Sequence, residues 1–220
     1  MQGVLLIHGF GGSRKELVPL YDFIKDDGFL IELPVLSGHE KTLGEFSKSK
    51  YKDWIESAEQ SLKILMERCD DVTVVGFSMG GLIATQLYLK YKFNRLCLVN
   101  TPVYYFNPKR IAHNLHTDFK KYSTHYKRAW FSRPLSTLFQ FQRLLSKTKP
   151  MFKKIDGNTL VIQVQDDDTV NASSGDYIYK RLKGKKKILK PQQGGHIIFK
   201  SECAKDLSAE IEKFIKENRG

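Results

Sequence analysis

Residues 72–84 read Val-Thr-Val-Val-Gly-Phe-Ser-Met-Gly-Gly-Leu-Ile-Ala. A β-branched apolar run stops at Gly76, turns through Phe77, Ser78 and Met79, and resumes as a helical pattern from Gly80. A short continuous apolar run of this kind predicts a strand buried on both faces. The turn has two readings. One is a small-residue junction between a buried strand and a buried helix. The other is Gly-x-Ser-x-Gly, which holds a serine up on a sharp strand-to-helix turn, its glycines leaving room where backbones pack closely.

Outward from this stretch, strand-like and helical patterns alternate. Residues 3–9 (GVLLIHG) predict a first strand. Leu17, Leu20, Tyr21 and Ile24 then recur at helical spacing, and Gly28 stops that helix. Residues 29–34 (FLIELP) predict the next strand. Tyr51, Trp54, Ile55, Ala58, Leu62 and Leu65 line one face of a long helix. Residues 95–100 (RLCLVN), 158–164 (NTLVIQV) and 186–191 (KKILKP) predict further strands. Helical patterns lie around 177–182 and over Ala204, Leu207, Ile211, Phe214 and Ile215. The alternation argues for a mostly parallel sheet covered on both faces, within a single domain spanning 1–220. It breaks at 101–151, a polar, aromatic and basic stretch punctuated by Pro102, Pro108, Pro134 and Pro150. That stretch is expected to be a helical insertion, roughly 103–152, over one end of the sheet.

Bulk properties narrow the class. The chain has 220 residues, 41% hydrophobic and 27% charged, ordinary for a globular protein with one sizeable core. No apolar run approaches the ~20 residues that cross a bilayer. The N-terminus reads as a strand rather than a signal peptide. Cys69, Cys97 and Cys203 share no metal-ligand spacing and suggest buried thiols in a reducing cytoplasm. The net charge is +12, and residues 103–154 hold twelve Lys and Arg against one acid, Asp118. The charge therefore belongs to the insertion. No nucleic-acid motif accompanies it, so nucleic acid is not expected as a partner.

In a parallel sheet, the loops at the carboxyl ends of strands gather in one crevice. Four such loops carry chemistry: 8–12 (HGFGG), 76–80 (GFSMG), 165–170 (QDDDTV) and 192–196 (QQGGH). A serine hydroxyl is a poor nucleophile until a base takes its proton. His196 can serve as that base and then as general acid, and a carboxylate of 166–168 can hold its imidazole in the right tautomer. The helix starting at Met79 points free N–H groups at the site, and the backbone amides of Phe10 and Met79 are the candidate oxyanion donors. Asp166, Asp167 and Asp168 are adjacent, and local sequence does not choose among them. His8 is expected to be structural and His39 to sit at the rim. His113, His116 and His125 lie in the insertion without an acid partner, and no metal is expected.

These motifs, in this order, resemble the α/β-hydrolase superfamily, and more narrowly the small bacterial carboxylesterase and monoacylglycerol lipase family. The likeness covers roughly 3–102 and 155–217, with LPVLSGHE (33–40) also in the family's style, and is weak over the insertion. It implies Ser78 as nucleophile, His196 as base, and Phe10 and Met79 as oxyanion donors. Members often read Ile-Gln-Gly, two residues, the catalytic Asp, then Val three positions on. Ile162, Gln163, Asp167 and Val170 fit that register, which selects Asp167. Val164 stands where glycine is common, and Asp168 stays the alternative. Gly194 stands where a serine is common.

The expectation is a serine carboxylesterase for short- to medium-chain acyl esters, monoacylglycerols among them, without metal or organic cofactor. The aromatic insertion would cap an acyl pocket, and its basic face would meet anionic lipid surfaces. The alternatives are a thioesterase or lysophospholipase using the same residues, or a non-catalytic ligand receptor on the same fold. Oligomeric state is not legible in the sequence.

Overall fold

The computed structural model describes residues 1–105, 116 and 134–217. Six strands form one sheet: β1 (Gln2–Ile7), β2 (Leu30–Glu32), β3 (Asp71–Phe77), β4 (Arg95–Val99), β5 (Asn158–Ile162) and β6 (Lys186–Leu189). Their order is β2-β1-β3-β4-β5-β6, and every neighbouring pair is parallel. β2 is shorter than its apolar run. The middle strands are buried on both faces, which is why their sequences show no polar alternation.

Alternate residues of each strand face two different cores. Leu5, Ile7, Val72 and Val74 pack under α3 (Tyr51–Arg68), α4 (Met79–Tyr91), α5 (Leu135–Thr148) and α6 (Ser173–Arg181). Val4, Leu6, Val75 and Phe77 pack under α1 (Val18–Ile24) and α7 (Ala204–Lys216). The stripe on α3 places Trp54, Ala58, Leu62 and Leu65 at full burial. Each such large apolar side chain contributes about 1.5–3 kcal/mol of transfer free energy. Cys97 is fully buried in β4, and burial pushes its thiol well above the ordinary range. Cys69 is buried too, but Cys203 is half-buried, a departure from the expectation for all three.

A helix not anticipated from the sequence, α2 (Leu43–Lys48), lies between β2 and α3. It starts with a capping box: Glu45 N–H donates to Thr42 Oγ1, and Thr42 N–H donates to the Glu45 carboxylate.

Of the expected insertion, 106–115 and 117–133 lie outside the described residues. Phe106, Phe119, Tyr122, Tyr126, Trp130, Phe131, His113 and His125 fall there. The described remainder includes α5 and a following 3-10 turn, Lys149–Lys154. Phe141, Leu144, Leu145 and Phe152 are buried in the α3–α4 core. Phe139 is 61% exposed and Tyr104 41%, so these two aromatics of the insertion are not packed into the core. No helix among the described residues is long and apolar enough to cross a membrane.

Candidate active site

The serine turn is shaped by how closely α4 starts against β1. A methyl group at Gly80 would lie 2.1 Å from the Ile7 carbonyl oxygen, and one at Gly76 would lie 2.5 Å from Gly80 O. Neither position can carry a β-carbon. Between them Ser78 adopts φ 52, ψ −121, outside the basins open to ordinary L-residues. Strain of this kind costs of order 1–3 kcal/mol and persists only where surroundings enforce it. Here the enforcement includes Ser78 N–H donating to Val99 O at 2.8 Å and Gly81 N–H donating to Ser78 O at 3.0 Å.

Three loops bring a hydrogen-bonded chain together. The Ser78 hydroxyl lies 3.0 Å from His196 Nε2, and His196 Nδ1 lies 2.8 Å from Asp167 Oδ2. Asp167 is fully buried, and its Oδ1 accepts from Thr169 N–H and Val170 N–H, each at 2.8 Å. Two amides and an imidazole thus face one carboxylate and fix its orientation. The neighbouring acids point elsewhere. Asp166 Oδ1 accepts from Gly195 N–H at 2.8 Å, and Asp168 Oδ1 accepts from Thr169 Oγ1 at 3.1 Å. Burial alone would lower the His196 pKa. The charge and hydrogen bond of Asp167, joined by Asp168 and Glu16, outweigh it and raise the pKa above the ordinary 6.5. Gly194 has φ 138, a conformation that suits glycine.

The loop after β1 runs beside the serine: a methyl at Gly9 would lie 3.3 Å from Ser78 Cβ. Two side chains pin the residues flanking Phe10. Gly9 N–H donates to Glu16 Oε2 at 3.0 Å, and Gly11 N–H donates to His39 Nε2 at 3.1 Å. His39 is therefore not at the rim. It is buried at 2% exposure, with Nδ1 against Ser37 O and its ring against His8, Phe46 and Trp54. His8 is fully buried and accepts from Leu36 N–H at 3.3 Å, while its Nδ1 donates to Gly9 O. Burial lowers its pKa despite that bond. Phe10 stacks on Phe141 of α5 with ring centroids 4.9 Å apart, and Met79, fully buried, opens α4. His116 is exposed. Among the described residues no group of three or more His, Cys, Asp and Glu side chains is arranged to hold a metal ion.

Sequence reasoning missed Glu16 and Asn100, did not foresee that Asp166 ties down Gly195, and misplaced His39. Asn100, Asp166 and His39 act on loops 28 or more residues away, and Glu16, only seven residues from Gly9, carries no local motif.

The alpha/beta hydrolase family profile matches residues 4–199. The chain is 26% identical to a thermostable monoacylglycerol lipase of Bacillus sp. (strain H-257), over 89% of this chain and 82% of that one. It is 22% identical to a carboxylesterase of Bacillus subtilis (strain 168), over 90% and 85%. A solved structure from work on the metagenome-derived lipolytic enzymes LipS and LipT matches with a TM-score of 0.84 at 19% identity, covering 99% of this chain and 94% of that one. The esterase EaEST from Exiguobacterium antarcticum matches at 0.72 and 14%, covering 99% and 92%. These structural likenesses speak to the fold, a parallel sheet between two helical layers with the gathered loops at its carboxyl edge. With its family match spanning both the elbow at Ser78 and the loop of His196, the chain belongs to the alpha/beta hydrolase family.

Proposed function

We propose that this protein is a serine carboxylesterase for short- to medium-chain acyl esters, monoacylglycerols among them. The observation that carries the reading is the unbroken Ser78–His196–Asp167 hydrogen-bond chain on a strained turn. The names of the two Bacillus relatives, a monoacylglycerol lipase and a carboxylesterase, support the ester class.

In this reading His196 Nε2 takes the Ser78 proton as Oγ attacks the ester carbonyl carbon. The Asp167 carboxylate holds the imidazole in its tautomer and stabilises the imidazolium. The amides of Phe10 and Met79 hold the oxyanion, a contribution of ~10²–10³ in rate per donor. The tetrahedral intermediate collapses to an acyl-serine as the alcohol leaves with the proton from His196. Water, deprotonated by the same imidazole, then attacks the acyl carbon and releases the acid and free Ser78. We read 103–152 as a cap over the acyl site, supported by Phe141 stacking on Phe10. Leu43, Leu135 and Phe139 are exposed at 62%, 80% and 61%, and the stretch 103–154 is strongly basic, which supports contact with anionic lipid. The three free thiols suit a reducing compartment such as the cytoplasm.

The test is hydrolysis of p-nitrophenyl esters from acetate to palmitate by the wild type and Ser78→Ala, with matched thioesters and amides alongside. Turnover that vanishes with Ser78→Ala supports the reading, and faster turnover of thioester than ester overturns the substrate class. Saturable ligand binding without turnover, unchanged in Ser78→Ala, replaces catalysis with reception. For the lipid contact, equal binding to neutral and anionic vesicles with no salt effect overturns it.

A further inference from the structure

β4 carries none of the three residues of the proposed triad, yet its end touches all three loops that do. Val99 O accepts from Ser78 N–H at 2.8 Å. The next residue, Asn100, is fully buried at φ 46. Its own N–H donates to Ile162 O at 2.8 Å, extending the ladder to β5. Its side-chain Oδ1 accepts from Val164 N–H at 2.9 Å, three residues before Asp167, and from Gln163 Nε2 at 3.4 Å. Its Nδ2 donates to His196 O at 2.8 Å and Gly195 O at 3.4 Å.

Backbone partners set the orientation of this amide. Val164 N–H can only donate, and the carbonyls of Gly195 and His196 can only accept. The acceptor half therefore holds the acid loop and the donor half holds the base loop. No other side chain of this length offers both. Asp keeps the acceptor but turns a second oxygen toward two carbonyls. Gly keeps the left-handed backbone and removes both halves. Asp166 adds a second tie, from the acid loop to Gly195 N–H.

We infer that Asn100 is a positioning residue, which sets His196 against Asp167 and Ser78 by holding the acid and base loops in register. The inference rests on the proposed triad. Asn100 acts through the loops and not on substrate. The charged groups acting on His196 are Asp167, Asp168 and Glu16. If the base loop drifts, the nearest of them, Asp167, loses most of its hold.

The experiment compares wild type, Asn100→Gly, Asn100→Asp and Val161→Ala, a β5 core truncation that matches the loss of stability without touching either loop. Each is checked for folding by circular dichroism and thermal melting. The expected result for Asn100→Gly and Asn100→Asp is a kcat lower by about 10²-fold with KM within twofold, because a displacement of about 1 Å at the reacting groups has that effect. In Asn100→Gly the acidic limb of kcat/KM also moves down toward 6.5, while Val161→Ala moves neither. The His196 imidazole titration is followed by NMR in the resting proteins, and its midpoint is expected to fall in Asn100→Gly. A kcat within threefold of wild type, or an unchanged His196 midpoint, overturns the inference. Wild-type protein inactive on every ester overturns the proposed function instead, and the NMR titration still decides the role of Asn100.

Discussion

The two edges of the sheet are built on different terms. At the amino edge, groups are paired and little is strained. Arg95 meets Asp71 at 2.5 Å with its side chain 4% exposed, and also donates to Glu217 O. Asn94 accepts from Val72 N–H, and Gln2 donates to Ile215 O. Lys92 has a positive φ, but its ψ of 46 lies in the left-handed basin that commonly ends helices. At the carboxyl edge, Ser78 sits outside that basin, and a buried Asp167 faces a half-buried His196. One edge holds the sheet together; the other keeps a strained turn and buried polar groups poised. The difference teaches where this fold stores strain, and single substitutions can separate the two.

The largest expected effect is at the carboxyl edge. Ser78→Ala should lower kcat by about 10⁴-fold or more while the melting temperature holds or rises, as ester assays and calorimetry on the same samples would record. A variant that loses both equally would erase the contrast between the edges. Next is Asp167→Asn, expected to lower kcat by about 10⁴-fold through loss of the correct tautomer. It should also shift the acidic limb of kcat/KM to lower pH, because the charge that raises His196 is gone while its burial stays.

The pH dependence sharpens the contrast, since activity and stability run in opposite directions. In the proposed mechanism turnover needs neutral His196 and should fall as pH drops through its raised folded pKa. Stability gained from the raised pKa is complete below the unfolded value of 6.5 and is lost as pH rises through the folded value. Parallel pH profiles should therefore show kcat/KM rising and the urea midpoint falling as pH climbs above 6.5 through the folded value.

At the amino edge, Arg95→Met should cost about 3 kcal/mol of stability by leaving the Asp71 carboxylate without its cation and with only Gln2 donating to it, with kcat unchanged, as denaturant melts and assays would show. The smallest effect runs the other way. Ser78→Gly relieves the turn and should raise stability by about 1 kcal/mol, read as a small upward shift of the melting temperature in an inactive protein.

How much of this was legible in sequence depended on range. β3, β4 and β5 announce themselves because continuous apolar runs need only burial on both faces. α2 went unread although Thr42 and Glu45 spell its capping box, because six residues with one buried apolar side chain, Phe46, give almost no period. His39 was misplaced for a different reason. Nothing near LSGHE says that its ring turns inward to accept from Gly11, 28 residues earlier. The three adjacent aspartates look alike on paper and end with three different partners, since a turn of the loop redirects each carboxylate. Asn100 sits in an unremarked LVNTP, and its partners lie 63 to 96 residues away.

The burial of Cys97 has a practical consequence. Its thiol lies mid-strand in β4 at zero exposure and resists ionisation, whereas Cys203 is half-buried on the loop before α7. Only a thiolate within reach of reagent is alkylated. Cys203 should therefore react in the folded protein, and Cys97 only when the centre of the sheet opens. Mass spectrometry that maps alkylation at Cys97 apart from Cys203 and the buried Cys69 makes this chain its own clock for global unfolding, with no label added and no residue at the carboxyl edge disturbed.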